Sequence, residues 1–328
     1  MLKKKLLIVF GTIVFLFLTL VSWDKGFGES YRFIKVIGEK GREPGQFTEP
    51  FDIAIDREGF LYVTDARDFG VQKLDKDGRF ILEWGKQGNG DGLFEKPAGI
   101  ALDGEGYVYI SDYDNDYIQK FSSKGEFILR WGKNGDGEGE FDSPSGIAVD
   151  SENNVYVMDL YNHRVQKFDK DGNFIAAWGK QKKVHNVKSV LFPFFSEEKP
   201  GDFYYPAKIA VGPDDRVYVS DSYNNRIQVF TKDGKYIFQW GGMGFWSGRF
   251  RVSSGIAIDR KGNLYVADYY NQRIQKFTRD GEFITKWGSE GDKPGQLKGP
   301  TGIAVGKEGS VYVVDWGNHR IQRFKIVQ

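Results

Sequence analysis

The sequence predicts an all-β fold: a six-bladed β-propeller of four-stranded antiparallel blades, with the last blade closed by the N-terminal strand. The first observation behind this prediction is a short motif, an apolar or small residue followed by Gly, Ile and Ala, which recurs six times with two substitutions of its Gly. The motif begins at Phe51, Ala98, Ser145, Ala207, Ser254 and Thr301. Successive motifs are 47, 47, 62, 47 and 47 residues apart. A fixed period of this size is typical of repeat architectures.

The second observation is the pattern inside one repeat, for which residues 145–179 serve as the example. Four short runs, SGIAVD, NVYVMD, RVQKF and FIAAWG, are apolar or alternate between apolar and polar residues. The segments between them are rich in Asn, Asp and Gly, and the last is an Asp-Gly turn of the kind that joins hairpin strands. Four antiparallel strands in a period of this length are typical of a propeller blade.

Two repeated positions fit the geometry of a ring of blades. The small Ala of the first strand suits strands that crowd the central axis, where little room is left for side chains. The bulky Trp of the fourth strand is expected at the wide rim, between neighbouring blades. The alanines are Ala54, Ala101, Ala148, Ala210, Ala257 and Ala304, and the tryptophans are Trp84, Trp131, Trp178, Trp240 and Trp287.

The ring is expected to close between the two ends of the chain. The sixth repeat stops after its third strand, in the sequence IQRFKIVQ, and lacks a fourth strand. The missing strand has a counterpart upstream, since YRFIKVIG at 31–38 resembles GEFITKWG at 281–288. Pairing of this N-terminal strand with the last blade would remove the open sheet edges that otherwise promote aggregation.

The turn between the second and third strands, here called the second turn, carries a family resemblance. It reads DLYNHRVQKF from Asp159, DSYNNRIQVF from Asp221, DYYNQRIQKF from Asp268 and DWGNHRIQRF from Asp315. Together with the preceding GIAVD and VYVxD segments, this resembles the NHL-repeat family of propellers over residues 31–328. The resemblance implies the fold but not the function, because that family includes RNA-binding and protein-binding modules, sensor domains, and lyases or hydrolases with a metal in the channel.

The net charge and the lack of cysteine exclude some classes of function. The formal net charge is +1, and a chain so close to neutral lacks the basic character of nucleic-acid-binding domains. We therefore predict no nucleic-acid partner. The chain has no cysteine, which excludes disulfides and thiol chemistry.

The N-terminus has the pattern of a membrane anchor or signal peptide followed by a short tether, so we divide the chain into residues 1–30 and a propeller of residues 31–328. Three lysines at 3–5 precede a run of 16 mostly apolar residues at 6–21, intermediate between a signal-peptide core and a standard spanning helix. Positive residues stay cytoplasmic. The propeller is therefore expected outside the cytoplasm, at the periplasmic side or cell surface when the anchor remains in the inner membrane, and secreted when it is cleaved.

Charged residues that recur in the repeats are expected to belong to the scaffold. The Asp that precedes each second turn and the Arg that follows it would form a pair bonded to backbone groups. The arginines given this structural role are Arg164, Arg226, Arg273 and Arg320. Blades 1 and 2 keep the Asp but replace the Arg by Gly70 and Tyr117. Their carboxylates are therefore expected to need solvent, a cation or a basic partner.

Metal chemistry is only weakly indicated. Asp112, Asp114 and Asp116 form a D-x-D-x-D pattern, but Tyr117 stands where a calcium loop has Gly, and the twelfth position is Ser123. We predict no cofactor, with a divalent cation at these three carboxylates as an open alternative. Two of the three histidines, 163 and 319, lie in opposite blades and cannot share a metal ion, and no His occupies the first-strand positions where the family's lyases use one.

The candidate ligand-binding residues lie where the period is broken or where aromatic residues cluster on the face of the second turns. Asp52 and Lys208 replace the first-strand Gly in opposite blades and are expected at the mouth of the channel. An insertion around 180–202 is basic and aromatic, as expected of a partner contact or of a loop folded back over the ring. The full set is Asp52, Lys208, Arg67, Tyr113, Tyr161, Tyr223, Tyr270, Trp316, Phe192, Phe194, Phe195, Phe245 and Trp246.

These observations favour an exported, membrane-anchored propeller that binds a protein, peptide or glycan on its loop-rich face, since large rings supply contact area and stacking. Residues 6–21 would contact the membrane. The alternative is a metal-assisted hydrolase or lyase with its site at the channel mouth. No catalytic residue stands out in the sequence, so whether the chain is an enzyme stays open.

Overall fold

The computed structural model describes residues 29–180 and 200–327. It confirms the predicted all-β propeller: six sheets of four antiparallel strands each. The anchor or signal peptide with its tether was predicted for residues 1–30, of which 1–28 lie outside the described residues. Most of the insertion, with Phe192, Phe194 and Phe195, also lies outside them. Within the described ranges, no helix is long and apolar enough to cross a membrane.

The strands follow the repeat in chain order. The first strand of the chain is β1 (Ser30–Ile37). Blades 1 to 3 consist of β2 (Pro50–Ile55), β3 (Leu61–Asp65), β4 (Gly70–Leu74), β5 (Phe80–Trp84), β6 (Pro97–Leu102), β7 (Val108–Asp112), β8 (Tyr117–Phe121), β9 (Phe127–Trp131), β10 (Pro144–Val149), β11 (Val155–Asp159), β12 (Arg164–Phe168) and β13 (Phe174–Trp178).

Blades 4 and 5 consist of β14 (Lys208–Val211), β15 (Val217–Asp221), β16 (Arg226–Phe230), β17 (Tyr236–Gly241), β18 (Ser253–Ile258), β19 (Leu264–Asp268), β20 (Arg273–Phe277) and β21 (Phe283–Trp287). Blade 6 adds β22 (Pro300–Val305), β23 (Ser310–Asp315) and β24 (Arg320–Val327) to β1. The second turns of blades 4 to 6 form short 3-10 helices at Ser222–Asn224, Tyr269–Asn271 and Trp316–Asn318.

The predicted closure of the ring is confirmed. Strand β1 pairs antiparallel with β24 in a register that joins Ser30 to Val327 and Ile37 to Ile321. It also contacts blade 5, since the Tyr31 ring stacks on Trp287 with centroids 4.1 Å apart. The N-terminal strand thus joins the first and last parts of the chain and packs against the preceding blade.

The core lies between the blades. Second strands are buried along their whole length, and the fourth-strand Trp packs against the next blade, as predicted. The Trp84 ring, for example, lies 5.9 Å from that of Phe121. The hairpin Gly of the next blade contacts the same indole: a Cβ added to Gly125 would lie 2.8 Å from the Trp84 ring, and its φ is +80°. The turn Gly therefore serves both the hairpin and the contact between blades.

We expect Gly172→Ala to destabilise the propeller more than Gly309→Ala. Both glycines have positive φ, +83° and +77°, so each alanine adds backbone strain of about 1 kcal/mol. Only at Gly172 would the new methyl also lie 2.8 Å from a neighbouring ring, that of Trp131, whereas nothing lies within 4 Å at Gly309. Urea denaturation of both variants measures the difference, and equal losses would show that the contact between blades is unimportant.

Candidate functional site

The repeated Asp of the second turn binds the loop that leads into its own blade. Asp159 is fully buried, and its Oδ1 accepts a hydrogen bond of 2.8 Å from the backbone N–H of Asp142. Asn162 donates both to Asp159 and, at 2.8 Å, to the carbonyl oxygen of Gly135. Side chains thus satisfy backbone groups of loop 133–142, which lies outside the blade strands and cannot satisfy them in a sheet.

Arg164 completes this network. Its Nε lies 2.7 Å from Asp159 Oδ2, and its terminal nitrogens donate to the carbonyl oxygens of Asp136, Gly137 and Glu140 at 2.7–2.9 Å. Burial raises the pKa of the Asp159 carboxyl, although the backbone and the arginine lower it. The same Nε–Oδ2 contact, 2.7–2.8 Å long, recurs in the pairs Asp221–Arg226, Asp268–Arg273 and Asp315–Arg320. These four arginines bind loop backbone within the scaffold.

Blade 2 lacks the third-strand Arg, but Arg130 of its fourth strand places a guanidinium near the same loop. The hydroxyl of Tyr117 donates to Leu93 O at 3.3 Å. Arg130, from the neighbouring strand β9, lies 5.2 Å from the Tyr117 ring and donates to Asn89 O at 2.7 Å. That carbonyl is the counterpart, 47 residues earlier, of the Asp136 carbonyl that Arg164 binds. The ion pair of Arg130 is with Asp91, 3.1 Å away, while the buried Asp112 is bonded to Asn115 and to backbone N–H groups.

The three carboxylates considered for a cation have separate partners. Asp112 accepts hydrogen bonds from the backbone N–H groups of Glu95 and Lys96, while Asp116 accepts one from Ser143. In the described residues, Asp112, Asp114 and Asp116 do not form a group that could hold a metal ion, and no other group of three such side chains does. The structure thus gives no support to a cation at this position.

The second turns of blades 2 to 6 also bond to the next blade through the side chain that ends them in a left-handed conformation, whereas blade 1 has Phe69 at this position. His163, with φ +54°, accepts a hydrogen bond at Nδ1 from the backbone N–H of Tyr205 in blade 4, 3.0 Å away. Asn225 makes the equivalent bond to Val252 N at 2.8 Å. Burial lowers the pKa of His163. This histidine therefore joins two blades in its neutral form.

A cavity of about 610 Å³ opens at the channel mouth on the face of the second turns. We call it the tyrosine pocket, because its wall contains Tyr113, Tyr161, Tyr205, Tyr223, Tyr269 and Tyr270. The Tyr113 hydroxyl donates to that of Tyr161 at 3.2 Å, and the ring of Tyr205 lies 5.6 Å from Tyr161 and 5.3 Å from Tyr223. The four tyrosines among the candidate ligand-binding residues thus surround one cavity.

Asp52 and Lys208 lie beneath this pocket. They belong to opposite blades, and Lys208 Nζ lies 2.7 Å from Asp52 Oδ2, so the ion pair crosses the channel. The residues are only 8% and 5% exposed. Both were expected at the channel mouth, but the long side chain of Lys208 reaches the carboxylate across the axis and the pair is buried.

Two polar groups that line the pocket have donors that no described residue accepts. Lys208 Nζ binds Asp52 Oδ2 at 2.7 Å, which leaves two of its three N–H groups without a partner in the described part of the chain. Thr301 Oγ1 is also buried and has no partner among the described residues. A buried polar group without a partner costs free energy, so both groups are suited to donate to an acceptor oxygen.

Other candidate residues lie outside the tyrosine pocket. Phe245 and Trp246 contact each other with centroids 4.0 Å apart and are about three-fifths exposed. Trp316 lies 6.4 Å from the ring of Tyr269 but does not line the cavity. Arg67 is exposed and pairs with Glu49 at 3.4 Å. The structure does not bring these residues to one site.

The sequence pattern did not single out Tyr205 as a ligand-binding residue. It follows the long insertion and lies in the loop that enters blade 4, with φ +47°. Its ring also lies 4.7 Å from that of His163. The corresponding positions of three other blades are Ser143, Val252 and Gly299, so the repeat gave no reason to expect an aromatic residue there.

Comparison with known proteins agrees with the repeat architecture. The NHL repeat family model matches residues 141–168, 203–230, 254–277 and 297–324. These segments span the second and third strands of blades 3 to 6, where the Asp, Asn and Arg network lies. No curated protein matches the sequence.

Several solved structures have a similar fold. Virginiamycin B lyase from Staphylococcus aureus is 15% identical, with 91% of this chain and 100% of that one covered and a TM-score of 0.60. An auxiliary nutrient binding protein from Bacteroides ovatus is 15% identical over 91% of this chain and 77% of that one, with a TM-score of 0.64. A gluconolactonase from Xanthomonas campestris is 13% identical over 93% and 99%, with a TM-score of 0.63. At these identities the likeness shows the fold alone.

We expect Asp52→Gly to destabilise the protein by about 3–5 kcal/mol, because it leaves the Lys208 ammonium buried without its counter-ion. The double variant Asp52→Gly with Lys208→Gly restores the residue that the other four blades have and removes both charges. It should therefore be more stable than the single variant. Urea denaturation tests this, and a further loss on adding Lys208→Gly would contradict the ion-pair interpretation.

We also expect the free energy of unfolding to fall as the pH drops below about 6.5, the ordinary pKa of histidine. The folded-state pKa of His163 is lowered, so the unfolded chain takes up a proton first, and the loss continues until the pH reaches the folded pKa. Asn, which makes this bond at position 225, cannot titrate. His163→Asn should therefore reduce the slope in urea denaturation measured across this pH range, and an unchanged slope would assign the effect to other groups.

Proposed function

We propose that this chain, a six-bladed β-propeller that carries NHL repeats, is a binding module that receives its ligand in the tyrosine pocket. The observation that carries the proposal is the floor of that pocket. There Thr301 Oγ1 lacks a hydrogen-bond partner within the described residues, and Lys208 Nζ, paired with Asp52 Oδ2 at 2.7 Å, has further N–H groups to donate. Buried polar groups are normally satisfied, and a ligand oxygen would satisfy both.

The chemistry of the pocket defines the class of ligand. Its volume of about 610 Å³ is that of a small-molecule site or of one end of a chain. Aromatic rings offer flat apolar surfaces and hydroxyl groups, which suit sugar rings and peptide side chains. Lys96 also lines the wall, 4.5 Å from the Tyr113 ring centroid. The ligand is therefore a glycan or peptide that places an acceptor oxygen, such as a carboxylate, beside Lys208.

Export and membrane anchoring are part of the same proposal and rest on the sequence. Residues 6–21 are mostly apolar and follow three lysines, a pattern that keeps the N-terminus in the cytoplasm. The propeller would then bind its ligand outside the cytoplasm, in the periplasm or at the cell surface. The insertion, with its basic and aromatic residues, would add to the binding face a contact for a protein partner.

The hydrolase or lyase alternative has less support. Two enzymes share the fold, but fold likeness at such low identity does not carry an activity to this chain. In the described ranges, the carboxylates and histidines near the channel are bound to backbone groups or to Lys208. No observation favours a reaction over binding at this site.

We expect Tyr161→Ala and Tyr223→Ala each to weaken ligand binding about tenfold, because each removes one exposed ring of the pocket wall. The purified full chain is first applied to arrays of acidic oligosaccharides and of peptides, and the strongest ligand is then titrated by calorimetry. Trp246→Ala is the matched control, since this exposed aromatic residue lies outside the pocket. Equal binding by all three variants and the wild type would place the ligand elsewhere.

A further inference from the structure

The inter-blade loops share a guanidinium site that the third-strand arginine fills in four of the six blades. In blades 3 to 6 the arginine of the third strand binds the buried Asp and loop carbonyls, as Arg164 does. In blade 2 the guanidinium comes from the fourth strand, where Arg130 donates to Asn89 O. Blade 2 therefore supplies a guanidinium to one of these loop carbonyls, although the ion pair of Arg130 is with Asp91 at 3.1 Å rather than with the buried Asp112.

Blade 1 has neither source of this group. Gly70 stands at the third-strand position, and Glu83 stands at the fourth-strand position that Arg130 occupies in blade 2. The structure has a cavity of about 280 Å³ here, which we call the blade-1 cavity; its lining includes Asp65, Gly70, Gln72 and Glu83. The shortened and substituted side chains account for the space.

The acceptors that surround a guanidinium in the other blades are present in this cavity. Asp65 is the counterpart of Asp159 and is only 1% exposed. Its Oδ1 accepts the backbone N–H of Glu49 and its Oδ2 that of Thr48, whereas Asp159 binds one loop N–H through Oδ1 and Arg164 through Oδ2. A carboxylate oxygen has two lone pairs, so Asp65 Oδ2 can still accept a guanidinium N–H. The carbonyl oxygen of Arg42 corresponds to the acceptor that Arg164 binds at residue 136, and no side chain of the described chain donates to it.

The cavity is also more acidic than its counterparts. Asp68 stands where the other five blades have an Asn, and Glu83 replaces the Ala177 of blade 3. These asparagines are Asn115, Asn162, Asn224, Asn271 and Asn318. Two arginines also line the cavity: Arg42, whose Nε lies 3.2 Å from Asp68 Oδ1, and Arg67, which pairs with Glu49. Both are more than two-thirds exposed. Neither is buried against Asp65 as Arg164 is against Asp159.

We propose that the blade-1 cavity binds a guanidinium group from outside the chain, the arginine side chain of a peptide or protein partner. The buried carboxylate and the loop carbonyls would receive it as they receive the internal arginines of blades 3 to 6. Planar guanidinium groups form directed, charge-assisted bonds with such acceptors, whereas the compact ammonium of lysine matches them less well. The site lies at a second turn and is separate from the tyrosine pocket, so the proposal does not depend on the function assigned to that pocket.

The proposal is tested by substitutions that place an arginine side chain of the protein itself in the blade-1 cavity. Glu83→Arg copies the Arg130 of blade 2 at an exposed position and should place its guanidinium in the blade-1 cavity. Gly70→Arg copies the arginine of blades 3 to 6, although a Cβ there would lie 2.8 Å from the carbonyl oxygen of Trp84 and requires a small shift of the strand. Glu83→Gln is the matched control, because it removes the same carboxylate without supplying a guanidinium.

The full chain is titrated by calorimetry with N-acetyl-arginine methylamide and with short peptides that contain one arginine, one lysine or one citrulline. We expect the arginine ligands to bind at least about tenfold more tightly than the lysine and citrulline ones. Glu83→Arg should abolish the difference, while Glu83→Gln retains most of it. If the small arginine amide binds as strongly as the arginine peptide, the guanidinium alone accounts for the affinity. If the peptide binds more strongly, the rest of the peptide also contacts the protein.

Two results would overturn the proposal. The first is the absence of any preference for arginine over citrulline in the wild-type chain. The second is a preference that persists in a folded Glu83→Arg variant, since the ligand would then bind elsewhere. Thermal unfolding checks that each variant is folded, and Gly70→Arg provides a second filled cavity when Glu83→Arg proves unstable.

Discussion

The propeller depends on one buried carboxylate per blade that binds the loop leading into that blade. These loops connect a fourth strand at the rim to a first strand at the axis, and they lie outside the sheets, so the strands cannot satisfy their peptide groups. The Asp accepts loop N–H groups, while the Arg, Asn and Gln around it donate to loop carbonyls. Burying a carboxylate is tolerable only with this number of partners, which explains why several polar residue types recur together at fixed spacing.

The fold could be predicted from the sequence because the pattern of strands and turns recurs six times, even though the Arg is present in only four blades. Strand order, the closure by residues 31–38 and the position of the Trp column all follow from the period and from the alternation of residues. The clustering of Tyr113, Tyr161, Tyr223 and Tyr270 could also be predicted, since equivalent positions in a ring must face one mouth. Each of these inferences uses only the symmetry of the ring and does not require any interatomic distance.

The remaining features depend on distances that symmetry does not fix. Whether Lys208 stays solvated or reaches Asp52 depends on the width of the channel relative to a lysine side chain. Arg130 lies opposite Gln119 on the neighbouring strand, and this position brings it close to Tyr117. The two residues are 13 positions apart in the sequence, so the repeat pattern does not predict their contact. Tyr205 was missed because its counterparts in three other blades are not aromatic. The membrane segment and the insertion stay predictions, as does the division of the chain into domains.

The closure of the ring has a consequence for how the chain folds. Strand β1 is the first element of the propeller to be synthesised, and its partner β24 is the last, with Ser30 paired to Val327. Contacts between such distant residues form slowly, because a long loop must close before they contribute. Until β24 is available, β1 has an unpaired edge and the ring stays open between blades 1 and 6. Loss of the last few residues would therefore affect the chain from both ends, and the time before closure is when its exposed strands are most prone to aggregate.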